Sequence, residues 1–179
     1  MFIKKLELTA DIDLISKGLD TVLSMTQWGS ENQIGLTYRK NAQNTWKDCV
    51  GSLYDRETGL DIANEQEFTE LNPNIPEYVQ SKLHELAILE NIQLGRIRFM
   101  RLMPKTGLSV HADTSVRYHF VLKTNPHAYI AHTFHAGNVS ALCFHIPADN
   151  NFYKVDTTKH HFVYNGGQEP RIHLVVCPI

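Results

Sequence analysis

Cysteine is scarce and badly placed for cross-linking. Cys49, Cys143 and Cys177 are three scattered thiols with no Cys-x-x-Cys among them. An odd, dispersed set excludes a disulfide framework, and free buried thiols in a reducing compartment are expected instead. Long hydrophobic runs are also missing, so no membrane span is expected. The opening Met-Phe-Ile-Lys-Lys-Leu-Glu-Leu alternates and carries charge, unlike a signal peptide. The expected location is the cytoplasm. Charge of one sign is lacking too: 17 basic residues stand against 19 acidic ones, net −2. No strong field calls for nucleic acid or an anionic membrane. Repeats, low-complexity tracts and linkers are absent.

What remains is 179 residues, 42% apolar and 20% charged, enough for one domain with a real core. We expect a single domain over 1–179, with a mixed α/β portion at 1–95 and supporting helices there, and a β core at 96–179. The one compositional excess is ten histidines, which raises the prior for metal or acid–base chemistry.

Phe2 to Thr9 alternates as a half-buried strand does. Leu14, Ile15, Gly18, Leu19, Val22 and Leu23 repeat at helical spacing, predicting a helix near 12–26 with Asp11 and Asp13 as N-cap candidates. Ile34–Tyr38 and Ser52–Tyr54 read as short extended pieces. Pro76 suits the first turn of a second helix, with Val79, Leu83, Leu86 and Ile88 or Leu89 on its apolar face and an end near Asn91. Gly95 reads as a breaker. Beyond it, short alternating segments follow at 96–103, 108–113, 116–123, 128–134, 140–146, 152–156, 161–165 and 170–177. Turn residues separate them at Pro104–Gly107, Asn125-Pro126, Gly137-Asn138, Asp149–Asn151 and Asn165–Gly167. Eight such strands after two helices predict a jelly roll, a double-stranded β-helix of cupin type, with the N-terminal helices packed on one sheet.

Strand residues i and i+2 share a face. His111 and Asp113 can therefore aim at one metal. With a distant histidine they match the 2-His-1-carboxylate pattern that suits non-haem Fe(II) and keeps coordination positions open. His160 and His161 compete for the third place, and adjacent residues on a strand face opposite ways. Arg117 and His119 share one strand face and look like anion binders; an outward pair in water is the plain alternative. Arg171 and His173 share a face of the last strand, opposite Ile172, Leu174 and Val176. A buried arginine is costly without a partner, and its planar fork fits a carboxylate. That carboxylate belongs either to a ligand or to a structural partner such as Asp156 or Glu169. His132 and His135 are candidates for the mouth of the barrel. The other histidines (His84, His127, His145 and His173) are read as satisfied or exposed.

These pieces occur in a familiar order. His111-Ala-Asp113, Arg117-Tyr-His119, Lys123-Thr-Asn-Pro126, His161-Phe-Val-Tyr-Asn165 and Arg171-Ile-His-Leu174 resemble the aspartyl/asparaginyl β-hydroxylase family of 2-oxoglutarate/Fe(II)-dependent dioxygenases. Arg98–Pro104 looks like the family strand leading into the first histidine. The resemblance covers the C-terminal half well and the first 90 residues loosely. Some members lack the triad Asp, whereas this chain keeps Asp113. The resemblance implies that His111, Asp113 and His161 hold Fe(II), choosing His161 over His160. It implies that Arg171 grips the distal carboxylate of 2-oxoglutarate, and that His119 and Arg117 line the cosubstrate or substrate side. It further implies O2 as a reactant and hydroxylation of an unactivated C–H. The expected substrate is an Asp or Asn side chain of a peptide, or a free amino acid. Two other readings use the same residues: a cupin-like metal enzyme without 2-oxoglutarate, and a non-enzymatic small-molecule-binding barrel.

Overall fold

The computed structural model describes residues 1–29, 31–55, 57–134 and 140–179. His135 and the Gly137-Asn138 turn lie outside the described residues. Twelve strands and two α-helices are present among them: β1 (Ile3–Thr9), α1 (Ile12–Met25), β2 (Gln33–Gly35), β3 (Thr37–Tyr38), β4 (Glu70–Leu71), α2 (Glu77–Glu90), β5 (Leu94–Leu102), β6 (Thr106–His111), β7 (Arg117–Lys123), β8 (Ala128–Thr133), β9 (Ala141–Phe144), β10 (Asn151–Val155), β11 (His161–Asn165) and β12 (Arg171–Pro178). No helix among the described residues is long and apolar enough to cross a membrane. The chain forms two compact units, one of Met1–Ile12 with Arg101–Val175, the other of Asp13–Met100 with Val176–Ile179.

The first unit is the jelly roll. Four of its strands run in the order β1-β10-β7-β12, and a four-stranded sheet runs β6-β11-β8-β9. The pairs β1–β10, β10–β7, β6–β11, β11–β8 and β8–β9 are antiparallel. Alternation explains why each face is chosen. In β11, His161, Val163 and Asn165 are buried, while Phe162 is half-buried and Tyr164 exposed. Val121, Tyr153 and Val155 from one set of strands meet Ile130 and Val163 from the other, with Phe2 and Ile146 completing the cluster. Burial of apolar side chains at about 25 cal/mol per Å² makes that cluster the main force holding the strands together. Asn165 ties off one end: its side-chain amide donates to the carbonyls of Leu102 (3.0 Å) and Glu169 (2.9 Å). Asn150 closes another turn with a positive φ of 67°, and its side chain accepts from Ile12 N–H at the start of α1 (3.2 Å).

The second unit carries the helices. Ile15, Gly18, Leu19 and Val22 form the buried stripe of α1, and Val79, Leu83 and Leu86 that of α2. The helices touch at Gly18, where an added Cβ would lie 2.6 Å from Val79 Cγ2. Ile88 and Leu89 do not extend the stripe: they are exposed in the last turn. Pro76 takes the N-cap position rather than the first helical one, with Glu77 opening the helix.

Local expectations also shift in this unit. The predicted strand 34–38 divides at Leu36, because β2 pairs with β5 and β3 with β4. Ser52–Tyr54 reduces to an isolated bridge between Tyr54 and Asp61. Gly95 is not a breaker. It lies inside β5, buried, where a Cβ would meet Ile179 Cγ1 at 2.7 Å and the Cys177 carbonyl at 3.0 Å. The break falls earlier, at Asn91, which caps α2 in the left-handed region at φ 50°. Cys49 and Cys177 are buried free thiols as expected, but Cys143 is exposed because β9 presents it outward.

Candidate metal centre

The end of β6 and the start of β11 build the centre. Val163–Leu108, Tyr164–Gly107 and Asn165–Thr106 pair in one register. That register would set Val110 opposite His161. Instead the ladder shifts between His161 and Val163, and His111 faces His161. One residue of slip turns a side chain to the other face, so this bulge is what swings the His111 imidazole inward. Bulges near active sites serve this purpose. The close approach of the two strands depends on Gly107, whose Cβ would lie 2.7 Å from the Val163 carbonyl. The two imidazoles end with centroids 4.3 Å apart.

Asp113 arrives differently from the sequence expectation. The strand does not run to 113; it ends at His111. A hydrogen bond from Asp113 N–H to the Thr157 carbonyl (2.8 Å) holds the carboxylate-bearing residue beyond the strand end. Thr157 is itself fixed by donating its hydroxyl to the Ser115 carbonyl (2.8 Å). Arg117 completes the clamp: Nη2 lies 3.3 Å from Asp113 Oδ1, and Nη1 donates to Ser115 Oγ at 2.6 Å.

The ligand atoms converge. His161 Nε2 lies 3.8 Å from Asp113 Oδ2 and His111 Nε2 lies 4.0 Å from Asp113 Oδ1. Two ligands of one ion, each about 2.1 Å from it, stand at most about 4.2 Å apart. Both carboxylate–imidazole distances meet that limit, and the three ligand atoms together lie within 4.8 Å of one another. The tautomers suit a metal as well. His111 Nδ1 is 2.7 Å from the Ser109 carbonyl, and His161 Nδ1 is 2.9 Å from the Lys159 carbonyl. A carbonyl only accepts, so both Nδ1 atoms carry the proton and both Nε2 atoms offer lone pairs. Burial lowers the His161 pKa, against the raising effect of the Lys159 carbonyl, and the neighbouring His111 lowers it further. A neutral imidazole is the form that binds a cation. Side-chain exposure rises from 3% at His161 to 22% at Asp113 and 38% at His111. The centre is therefore anchored on β11 and open on the His111 side. His160, the competitor for the third place, is exposed.

The anion-binding candidates sit on β7 and its neighbour β12. Arg117, His119, Arg171 and His173 are all buried, so none is an outward pair in water. Arg171 stands apart from Arg117. Burial alone pushes its guanidinium down to about 9, with no acidic neighbour among the described residues acting on it. A guanidinium in that range is charged at neutral pH. Neither Asp156 nor Glu169 pairs with it: their bonded cations are Lys159 (3.2 Å) and Lys123 (2.8 Å). His132, a mouth candidate, stands opposite His161 on β8 and stacks on Phe2 at 4.9 Å.

Sequence reasoning missed three parts of this arrangement. They are the bulge, the Thr157–Ser115 support, and the bond between His119 Nδ1 and His173 Nδ1 (3.3 Å). The i, i+4 spacing of Asp113 and Arg117 was the one available signal for their contact.

The family model for aspartyl/asparaginyl β-hydroxylase matches residues 9–177. The chain belongs to that family. By this membership it is a hydroxylase-family enzyme, and the two imidazoles and one carboxylate described above are a donor set that fits Fe(II). Solved structures share the fold at low identity. A prolyl-4-hydroxylase from Pseudomonas putida has a TM-score of 0.58 at 10% identity, covering 99% of this chain and 91% of its own. A prolyl hydroxylase from Trichoplax adhaerens, in complex with a hypoxia inducible factor oxygen degradation domain peptide fragment, has a TM-score of 0.52 at 10% identity, with 99% and 83% covered. An oxidoreductase of the 2OG-Fe(II) oxygenase family from Burkholderia pseudomallei is 15% identical with a TM-score of 0.46, and this chain spans only 59% of it. A search of curated proteins finds no match.

Burial gives the family member a pH signature. His173 is held well below its ordinary value of 6.5, first by burial and then by Arg171, His119 and His145. Its unfolded form binds a proton as pH falls through that value, while the folded form does not. Stability is thus fully present above pH 6.5 and declines below it, by at most about 1.4 kcal/mol per pH unit for one such histidine. His161 adds in the same direction. Urea midpoints of metal-free protein should be lower at pH 5.5 than at pH 7.5. Equal midpoints would contradict the neutral, buried imidazoles.

Proposed function

We propose that this chain is a 2-oxoglutarate- and Fe(II)-dependent dioxygenase. It hydroxylates an unactivated C–H, on an Asp or Asn side chain of a peptide or on a free amino acid. The supporting observation is one juxtaposition. His111, Asp113 and His161 converge within 4.8 Å, Arg117 links Asp113 to β7, and β12 beside β7 carries a buried Arg171 without an acidic partner. The donor set suits a metal and the Arg171 guanidinium suits a carboxylate, and a 2-keto dicarboxylic acid would answer both.

When bound, the iron supplies the oxygen chemistry. Overall, substrate C–H, O2 and 2-oxoglutarate give C–OH, succinate and CO2. The protein's share is positioning. His111, Asp113 and His161 would hold the ion as a 2-His-1-carboxylate donor set. Arg171 receives the far carboxylate, and a bidentate fork there fixes its direction. Arg117 and His119 line the cosubstrate side, with Arg117 also holding Asp113 in place. The peptide arm of the proposal rests on the family name, and the exposed His111 side leaves the centre accessible to a bulky substrate.

Purified protein given Fe(II), ascorbate and 2-oxoglutarate should form succinate. Incubated with peptides and free amino acids, it should add one oxygen atom to its substrate, read by mass spectrometry. Anaerobic calorimetry with 2-oxoglutarate, or with N-oxalylglycine, tests the cosubstrate without needing the substrate. No binding by metal-loaded protein would point to a cupin-like enzyme that does not use 2-oxoglutarate.

A further inference from the structure

The inward row of histidines continues past the metal centre. His111 on β6 faces His161 on β11, and His161 faces His132 on β8. On β9, Leu142 stands opposite His132. Directly opposite residues of antiparallel strands share one face of the sheet, so the row runs His111, His161, His132, Leu142. The first two reach Asp113. The His132 ring is held by aromatic neighbours instead. Phe2 stacks on it with centroids 4.9 Å apart at 18°, and Phe134 lies 5.3 Å away at 52°.

The core opens at this end of the strands. Ala128, Ile130, His132 and Phe134 alternate onto one face. Along them the first two are buried, His132 is half-buried and Phe134 is 54% exposed. On β9, Phe144 packs against the core cluster while Leu142 is 51% exposed. Both strands leave the core where His161 stands. Single exposed apolar residues are ordinary, but a contiguous set on an inward face beside a metal centre marks a place where a ligand is bound. We propose that His132, Phe134 and Leu142 form a specificity-determining subsite for an apolar side chain of a peptide substrate, flanking the residue hydroxylated at the metal. This rests on the hydroxylase reading above and chooses its peptide arm. A free Asp or Asn is polar at every end and would bury no apolar surface on this lip. The reach is short. Neighbouring strands lie about 4.8 Å apart, so the lip begins one strand from His161 and ends two strands away, roughly 10 Å. An extended chain rises about 3.3 Å per residue, which places the apolar side chain within about three residues of the target.

Affinity selection on the full-length chain loaded with Zn(II), with and without N-oxalylglycine, tests this directly. The probe is a library of capped seven-residue peptides. Asn or Asp is fixed at the centre, every residue is represented at the other positions, and the retained fraction is read by mass spectrometry. Retained peptides should be enriched about tenfold or more in Leu, Ile, Met or Phe over Ser at a flanking position, the scale of burying one such side chain. Phe134→Ser and Leu142→Ser alter exposed side chains, which the fold tolerates, and each should cut the enrichment to about threefold or less. Phe134→Leu keeps an apolar side chain and should retain it. No retained peptide, or no apolar preference at any flanking position, overturns the proposal. So does an apolar preference that survives in both serine variants, or calorimetry showing free Asn or Asp bound more tightly than the retained peptides. Wild type that ignores 2-oxoglutarate yet shows the apolar preference, lost in the serine variants, would remove the cosubstrate reading and leave the subsite standing.

Discussion

Arg171→Met should change ligand binding and stability in opposite directions. Loss of the guanidinium should weaken 2-oxoglutarate binding by about 100-fold, the scale expected when one partner of a buried charge pair is removed. Metal affinity should stay nearly unchanged, because the ion pairs and ring contact that gather His111, Asp113 and His161 run among themselves and to Arg117. The ligand-free protein, in contrast, should become more stable. Arg171 is buried, burial drags its pKa down to about 9, and no acidic neighbour opposes that. Replacing even a buried ion pair with apolar residues of similar volume is often neutral or stabilising by about 1–4 kcal/mol, and a buried charge with no partner has no attraction to lose. A structural salt bridge would give the reverse: a destabilised variant with unaltered ligand binding. Thermal melts with and without 2-oxoglutarate separate the cases, since a ligand that binds only the folded state raises the midpoint. Wild type should show the rise and the variant should not. A variant that melts lower and still responds to 2-oxoglutarate would end the assignment of Arg171.

The β core was legible because its signal is local. All eight expected segments after residue 95 appear as β5 to β12 with small shifts at their ends, since alternation and turn residues are properties of neighbours in sequence. Elements with two or three residues carry too little period to be read. That is why β4 was missed and why the extended stretch 34–38 hid two strands with different partners. Gly95 misled for a related reason: a glycine marks either a turn or a close approach, and only the nearby Cys177 carbonyl distinguishes them. At the metal centre, the residue types and order were visible, but the geometry was not. The expected strand through 108–113 placed His111 and Asp113 on one face by alternation. In the structure, alternation along β6 would turn His111 away. The bulge brings it back, and a hydrogen bond from Asp113 N–H to the Thr157 carbonyl, with the Arg117 ion pair, places Asp113. Register shifts depend on the partner strand, which no local pattern encodes. The His119–His173 bond joins residues 54 apart in sequence and was hidden for the same reason.

That dependence on register makes the neighbouring histidines 160 and 161 a sharp pair to test. His161→Ala should abolish metal binding in practice, lowering affinity by well over the roughly 10- to 100-fold typical of losing an outer-shell partner. Three features make His161 hard to replace. It is the most buried of the three ligands, its Nδ1–H is fixed by the Lys159 carbonyl, and it pairs across the strand with His111. Its loss leaves His111 facing a cavity with a single partner carboxylate. His160→Ala should leave metal affinity within about twofold, on the scale of ordinary surface substitutions. His160 is exposed, and it serves β8 through its main chain, whose carbonyl accepts from Thr133 N–H at 2.8 Å. Alanine keeps that carbonyl. Anaerobic titration with Co(II), followed by its visible absorption, measures both variants directly and needs neither cosubstrate nor substrate. Equal losses in the two would mean that the strand, not the ligand, had been damaged. A larger loss in His160→Ala would reverse the face that β11 turns to the metal, and with it the inward set His161, Val163 and Asn165 on which the jelly-roll core is built.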